Sequence, residues 1–260
     1  MESGPAYFKV AAPGPVAAGF TLGGTGAAAL AEAPGPEADA TLAENRRALL
    51  EGLGRDSFST LLTARQVHGK RSLTVADCHP ATLAGVAASE ADALLTDQAG
   101  VLLGVLTADC LPLIMVERQG RAVAVVHAGW RGLAQAIGPA AVAEFECRFG
   151  VAADELEVYV GPAIGFCCFQ VGLEVIDCFR GQAALAGSEA WWRQRPSGYY
   201  VDLTAIQKAQ LLQVGVPAEN VHVLDICTCC HDFCFSYRRD HAISGRQLAF
   251  VGIRENTVSV

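Results

Sequence analysis

The sequence predicts an α/β fold: one domain with a mixed β-sheet core flanked by helices. Three observations predict it. The stretch Val101–Gly132 is almost continuously apolar and divides into three strand-length runs rich in Val, Leu and Ile. Helix-like stretches with polar starts and glycine stops, such as Asp202–Val214 ahead of Gly215, alternate with further short apolar runs. No repeat, low-complexity tail or domain boundary interrupts residues 1–260, although 1–43 is loop-rich in Gly, Ala and Pro.

Within the central stretch, Val101–Thr107, Leu111–Glu117 and Arg121–His127 read as strands, the last two joined by a turn at Gln119-Gly120. Their unbroken apolar character requires burial on both faces, so they belong at the centre of a sheet. Ala6–Val10 reads as an edge strand, and Gly23-Gly24-Thr25-Gly26 as a plain loop. The full phosphate-binding glycine patterns are absent there. Thr41 with Glu44 makes a capping box for a helix over Thr41–Leu53. Strands are expected over Ser59–Val67, Arg71–Ala76, Leu156–Val160, Asn220–Ile226 and Gln247–Ile253. Leu133–Arg148 is helical in composition but contains Gly138-Pro139. Proline costs about 3 kcal/mol in a helix interior, so a kink or two helices is expected. Gly161–Cys168 reads as a tight loop and Val171–Phe179 as a helix. Gln182–Ser197 reads as an excursion whose Trp191-Trp192 covers a cleft.

Composition narrows the function. An apolar content of 52% and a charged content of 18% suit a well-filled core. A net charge of −8 excludes a general nucleic-acid binder, which needs a basic excess to neutralise phosphates. The longest apolar run is broken by Asp109, short of the roughly 20 residues of a membrane span. The N-terminal MESGPAYFKV has neither the basic nor the apolar part of a signal peptide. A cytoplasmic protein with its 10 cysteines kept as thiols, most of them small buried hydrophobes, is therefore expected.

Asp109, Cys110 and His127 are the polar residues that the apolar centre carries, and His68 ends an earlier strand before Gly69, where taken alone it reads as a surface-turn histidine. Cys110 and His127 lie at ends of neighbouring buried segments, where a thiolate and an imidazole meet as nucleophile and base or as metal ligands. Three ligands, His68, Cys110 and His127, with one open position are the pattern of a catalytic zinc. Arg131 starts the next helix, where it either attracts an anion or is an ordinary surface arginine. Cys227-Thr228-Cys229-Cys230-His231 with Cys234 is a rival cluster. It is crowded into too few residues to arrange four ligands tetrahedrally, and is expected to hold neither zinc nor a disulfide. The vicinal Cys167-Cys168 pair reads as packing. Asp77-Cys78-His79-Pro80 reads as a loop.

Five motifs occur in an order that resembles the YfiH family. They are Gln66-Val67-His68-Gly69, Thr107–Pro112, His127–Gly132, Gly161–Gly165 and Ser236–Asp240, spread over about residues 55–255. That family has also been labelled laccase-like multicopper polyphenol oxidase and peptidoglycan editing factor. The stretch Phe20–Gly24 departs from it, lacking the arginine that members usually carry before the Gly-Gly. The resemblance implies zinc held by His68, Cys110 and His127, with copper as the alternative metal. It implies phosphorolysis of adenosine, inosine, guanosine and methylthioadenosine, and deamination of adenosine. Cys110 and His127 would be catalytic, and Arg131 and Arg238 would bind substrate. The partners implied are purine nucleosides and phosphate, met by a monomer or homodimer. Asp109 would be a proton shuttle, a partner of an imidazole, or a structural carboxylate. The competing readings are a Cys110–His127 hydrolase acting on peptidoglycan precursors, a copper-dependent polyphenol oxidase, and a non-catalytic binding protein with a structural metal.

Overall fold

The computed structural model describes residues 6–23, 36–54, 56–241 and 244–255, with side chains of the first helix from residue 44 onward. The Gly24-Thr25-Gly26 part of the glycine-rich loop lies outside them. The chain runs β1 (Tyr7–Lys9), β2 (Val16–Thr21), α1 (Pro36–Leu53), β3 (Thr60–Leu62), β4 (Ser72–Val75), α2 (Pro80–Ala87) and β5 (Ala93–Thr96). The centre is β6 (Val101–Thr107), β7 (Leu111–Glu117) and β8 (Val123–Ala128), followed by α3 (Trp130–Ala134) and α4 (Ile137–Phe149). Then come β9 (Leu156–Val160), β10 (Gln170–Val171), α5 (Leu173–Phe179), β11 (Trp192–Arg195), β12 (Gly198–Val201) and α6 (Leu203–Gln213). The chain closes with β13 (Val221–Val223), α7 (Tyr237–Asp240) and β14 (Gln247–Ile253).

The mixed core is built from two large sheets. One has five strands in the order β1-β2-β14-β6-β3, the other six in the order β13-β9-β7-β8-β5-β4. A small sheet, β10-β12-β11, lies apart. Alternation along the strands divides the apolar residues into three layers. Val101, Leu103 and Val105 of β6 meet Ile114, Val116, Val123 and Val125 between the sheets. Leu113, Met115, Ala124 and Val126 face the helices α3 to α6. Leu102, Leu248 and Phe250 face α1 through Leu49 and Leu53. The three central runs are therefore interior strands buried on both faces, as their composition requires. Full burial of each such side chain contributes about 1.5–3 kcal/mol. The runs do not share one sheet, because the chain crosses from one sheet to the other at Ala108–Cys110. Asp109 there takes a left-handed φ of 88°.

Several elements differ from the sequence expectation for local reasons. α1 begins at Pro36, whose fixed φ and missing N–H suit a first helical position, so Thr41 lies within the helix and not at its start. The Leu133–Arg148 helix is two helices, with the break at Ala136 (φ 58°). Pro139 falls in the first turn of α4, where its missing N–H costs no helical bond. Gly138 packs directly against α6, where a Cβ would meet the end of the Gln207 side chain. Asp202 caps α6 as expected, accepting from the Ala205 N–H at 2.9 Å. His79 is a cap too, its Nδ1 accepting from the Ala81 N–H that begins α2. Trp191 covers no cleft: it is a core residue, edge-on to Phe179 at 5.9 Å. None of the ten cysteines is disulfide-bonded, but only Cys234 is buried, so most are not the small core hydrophobes expected. Among the described residues no helix is long and apolar enough to cross a membrane.

Candidate active site

Strand register assembles the site. In the β7–β8 ladder Pro112 lies opposite His127, and in the β5–β8 ladder Ala93 lies opposite Val126. Continuing the second ladder by one residue brings Asp92 beside His127, and the His127 N–H donates to the Asp92 carbonyl at 2.7 Å. Cys110 immediately precedes β7 at the same end of the sheet. Alternation along β8 turns His127 to the face shared with Val123 and Val125, toward the other large sheet. His68 arrives from that direction.

His68 sits on a turn that Asp92 holds. The Asp92 carboxylate accepts from the N–H groups of Val67 (3.2 Å), His68 (3.0 Å) and Gly69 (2.8 Å), and it meets His127 Nδ1 at 2.7 Å. These bonds allow His68 its strained φ of 59°. The turn is also tied to β6, because the Gln66 side chain donates to the Leu106 carbonyl and accepts from its N–H, both at 2.8 Å. Cys110 Sγ lies 3.8 Å from His68 Nε2, and the two imidazoles stand edge to face with centroids 4.8 Å apart. The ligand atoms of His68, Cys110 and His127 all lie within 4.8 Å of one another.

The electrostatics follow from burial and pairing. Burial alone would raise the Cys110 thiol, but His127 and then His68 stabilise the thiolate and lower it to about 6. Burial alone would lower His127, but Asp92 and then Cys110 favour the imidazolium and raise it to about 9. Burial would likewise raise the Asp92 carboxyl, but the bonds from His127 and the Gly69 N–H lower it. Cys110 is thus a thiolate near neutrality, held ready as a ligand or nucleophile. At pH 7 iodoacetamide is expected to modify metal-free Cys110 ahead of Cys78, an exposed thiol raised by residual desolvation and by Glu255 and Asp77. Peptide mass mapping would check the order, and modification of Cys78 first would refute the thiolate assignment.

Gly129 makes the cluster possible. A Cβ there would lie 2.8 Å from His68 Cδ2 and 3.2 Å from Cys110 Sγ. Gly132 is similar, since its Cβ would meet the Gly69 carbonyl at 2.8 Å. Gly129→Ala is expected to leave the chain folded while spreading the three candidate ligand side chains and weakening binding of any metal they hold by on the order of tenfold or more. Competition with a chromophoric chelator would measure this. Unchanged affinity would mean that the ligands do not need this approach.

The cluster lies in a cleft of about 1130 Å³, lined further by Arg46, Arg65, Phe169, Tyr237, Arg238 and Arg246. Asp109, also in its lining, does not touch either imidazole. Its carboxylate accepts from Thr228 Oγ1 and from the Arg238 N–H, both at 2.6 Å, and its carbonyl accepts from the Ile164 N–H. Of the roles open to Asp109, the geometry matches the structural carboxylate: it pins two distant segments to the crossing between the sheets. Arg238 follows the Ser236 cap of α7, donates to the Cys168 carbonyl at 3.1 Å, and lies over the Phe169 ring at 5.5 Å. Arg131 does not line the cleft. It is exposed on the short α3 with its guanidinium over Trp130 at 4.3 Å.

Asp92 is the site residue that sequence reading passed over. Its signal is weak: a carboxylate directly before an apolar strand, which is also how ordinary loop residues look. The cysteines are a second omission. Cys227 and Cys230 do not stand with Cys229, His231 and Cys234 as one crowded group. They face Cys167 and Cys168 from the Gly161–Cys168 loop, and the four sulfurs lie within 4.8 Å of one another.

Residues 33–254 match the family model described as multi-copper polyphenol oxidoreductase laccase. The chain is 37% identical over 215 residues to the purine nucleoside phosphorylase YlmD of Geobacillus stearothermophilus, covering 81% of this chain and 78% of that one. It is 38% identical over 218 residues to adenosine deaminase RL5 of an unknown prokaryotic organism, covering 80% and 79%. The crystal structure of the hypothetical protein YfiH of Bacillus licheniformis superposes with a TM-score of 0.79 at 28% identity, covering 92% of each chain. With the family model matching most of its length and relatives and solved structures agreeing, the chain belongs to the YfiH family of laccase-like multicopper polyphenol oxidoreductase proteins.

Proposed function

We propose that this chain is a zinc-dependent purine nucleoside phosphorylase, acting on adenosine, inosine, guanosine and methylthioadenosine, that also deaminates adenosine. One observation carries the reading: His68, Cys110 and His127 converge in an arginine-lined cleft large enough for a nucleoside and phosphate. The donor set fits zinc. Two imidazoles and a low-lying thiolate are ligands that zinc favours, and three protein ligands leave one position open. Asp92 fixes the proton of His127 on Nδ1 and so frees Nε2 for a metal. When bound, zinc would supply Lewis acidity and a water whose pKa falls toward about 7.

The chain's own residues do the rest. Arg238 and Arg246 offer positive charge to the phosphate. The exposed ring of Tyr237, with Phe169 in the same lining, offers apolar surface to the purine. The names of the two relatives above, one a phosphorylase and one a deaminase, support both reactions. The test is a nucleoside panel with and without phosphate, before and after chelation. Phosphate-dependent release of free base and ammonia release from adenosine should both vanish on chelation and return with zinc. Turnover that survives complete metal removal would refute the reading.

A thiol hydrolase is the second reading, favoured by a specific geometry: Cys110, His127 and Asp92 form a thiolate–imidazole–carboxylate relay. It predicts activity on amide substrates that chelation spares. A copper polyphenol oxidase is less well supported, because a laccase needs several coppers. Among the described residues the only other His, Cys and carboxylate group of this kind contains thiols alone.

A further inference from the structure

We infer that Cys167, Cys168, Cys227 and Cys230 form a second metal site, a closed tetrahedral all-thiolate site for zinc. Two loops distant in sequence supply two sulfurs each. On one, the turn after Gly165 bonds the N–H groups of Cys168 and Phe169 to the Gly165 carbonyl, both at 3.0 Å. This curl brings both vicinal thiols to the same neighbour: Cys167 Sγ lies 3.5 Å and Cys168 Sγ 3.4 Å from Cys230 Sγ. On the other, Cys227-Thr228-Cys229-Cys230 has the C-x-x-C spacing of a metal knuckle, closed by the Cys230 N–H donating to the Cys227 carbonyl at 3.2 Å.

All four sulfurs lie within 4.8 Å of one another. Zinc–sulfur bonds of about 2.3 Å place the corners of a regular tetrahedron roughly 3.8 Å apart. Thiols at this spacing need only small shifts to enclose a single ion. A polynuclear iron–sulfur cluster interposes more atoms and would need wider spacing. No sulfur pair is at the about 2.05 Å of a disulfide.

The surroundings suit a bound thiolate centre. The Gly165 N–H donates to Cys227 Sγ at 3.2 Å, the kind of contact that orients a ligating sulfur. A side chain at Gly165 would press on Cys227 Cβ at 3.0 Å and Cys167 Sγ at 3.3 Å, so the glycine leaves room for the sulfurs. Four thiolates around a dication carry a net charge of −2, their four protons passing to solvent on binding. Two guanidinium groups sit beside that charge: Arg195 donates to the Cys167 carbonyl at 3.4 Å and Arg238 to the Cys168 carbonyl at 3.1 Å.

The site would clamp the wall of the catalytic cleft. Phe169 follows Cys168 directly, Thr228 lies between the knuckle cysteines and bonds Asp109, and Arg238 bonds the Cys168 carbonyl. One ion would therefore hold Phe169, Asp109 and Arg238 in mutual register without touching substrate.

The experiment is metal content of the purified full chain after growth in zinc-supplemented medium, by plasma mass spectrometry. Wild type should hold two zinc ions, Cys110→Ala one, and Cys227→Ser/Cys230→Ser one. Zinc content unchanged by the double substitution would overturn the proposal. Loss of the double-variant ion with retention in Cys110→Ala upholds it even if the catalytic zinc reading falls. Cobalt titration of Cys110→Ala gives a second arm that does not depend on the folding of the double variant. An intense thiolate-to-cobalt charge-transfer band with tetrahedral ligand-field bands is expected. A weak octahedral spectrum, no uptake, or a disulfide among these four cysteines in the fresh protein would overturn it.

Discussion

Cys110→Ala is expected to abolish phosphorolysis and deamination together while the chain stays folded. The substitution removes one of three ligands and the only anionic one from the cluster. The two remaining imidazoles should hold zinc far more weakly, and His127 loses one of the two partners that favour its protonated form. The volume change is small, and the side chain is only partly buried, so the folding cost should be on the order of 1–2 kcal/mol. Thermal unfolding should shift by only a few degrees, while nucleoside turnover falls by orders of magnitude. Loss of one activity with retention of the other would break the single-site mechanism. Retention of both would make Cys110 a packing residue.

Asp92→Asn should damage both the fold and the site. Asp92 is fully buried, and its two oxygens serve four donors. An asparagine has one accepting oxygen, so its NH₂ must face donors in either orientation. Placed at the Oδ2 position it confronts the Val67 and Gly69 N–H groups, and the His68 turn loses its anchor. Placed at the Oδ1 position it confronts the His68 N–H and requires His127 to accept at Nδ1, which moves the proton to Nε2 and blocks the metal-facing atom. Each buried donor left without a partner costs about 1–3 kcal/mol, and breaking a buried pair about 3–5 kcal/mol. A loss near 3 kcal/mol would lower the melting temperature by roughly 6–12 °C. Zinc affinity should fall about 10–100-fold. The pH dependence has a definite sign. Because the Asp92 carboxyl is lowered in the folded chain, its contribution is fully present above its unfolded value of about 3.9 and is lost as pH falls through the folded one. The stability gap between wild type and Asp92→Asn should therefore narrow below about pH 4. A gap that widened in acid would contradict the assignment of a paired carboxylate.

The strands that build the site were legible because burial on both faces leaves an unmistakable mark. Val101–Thr107, Leu111–Glu117 and Leu156–Val160 match their apolar runs residue for residue. Helix boundaries were read less well where the deciding contact is local and weak. Pro36 rather than Thr41 begins α1, and the α3–α4 break falls at Ala136 rather than at Gly138-Pro139. Cys110 and His127 were legible because a polar side chain at the end of a buried strand is rare enough to stand out, whereas the strand expected over Ser59–Val67 ends at Leu62 and His68 stands on the turn beyond it, so its candidacy rested on the Gln66–Gly69 motif.

The sequence by itself determined the α/β class, the central strands and the candidacy of His68, Cys110 and His127. Hydrophobic period and residue chemistry are local properties, readable along one chain. Only the tertiary structure decided that the central strands divide between two sheets, since a continuous apolar run says that both faces are covered but not by what. It alone selected Asp92 as the residue that bonds the His127 ring and holds the His68 turn, because that role follows from strand register and a turn more than twenty residues away. It alone placed Arg131 outside the cleft and Arg238 inside, a matter of side-chain direction on two very short helices. It alone joined Cys167 and Cys168 to Cys227 and Cys230, because spacing along the chain limits which thiols a single loop can bring together, and says nothing of the partner loop that folding carries to it.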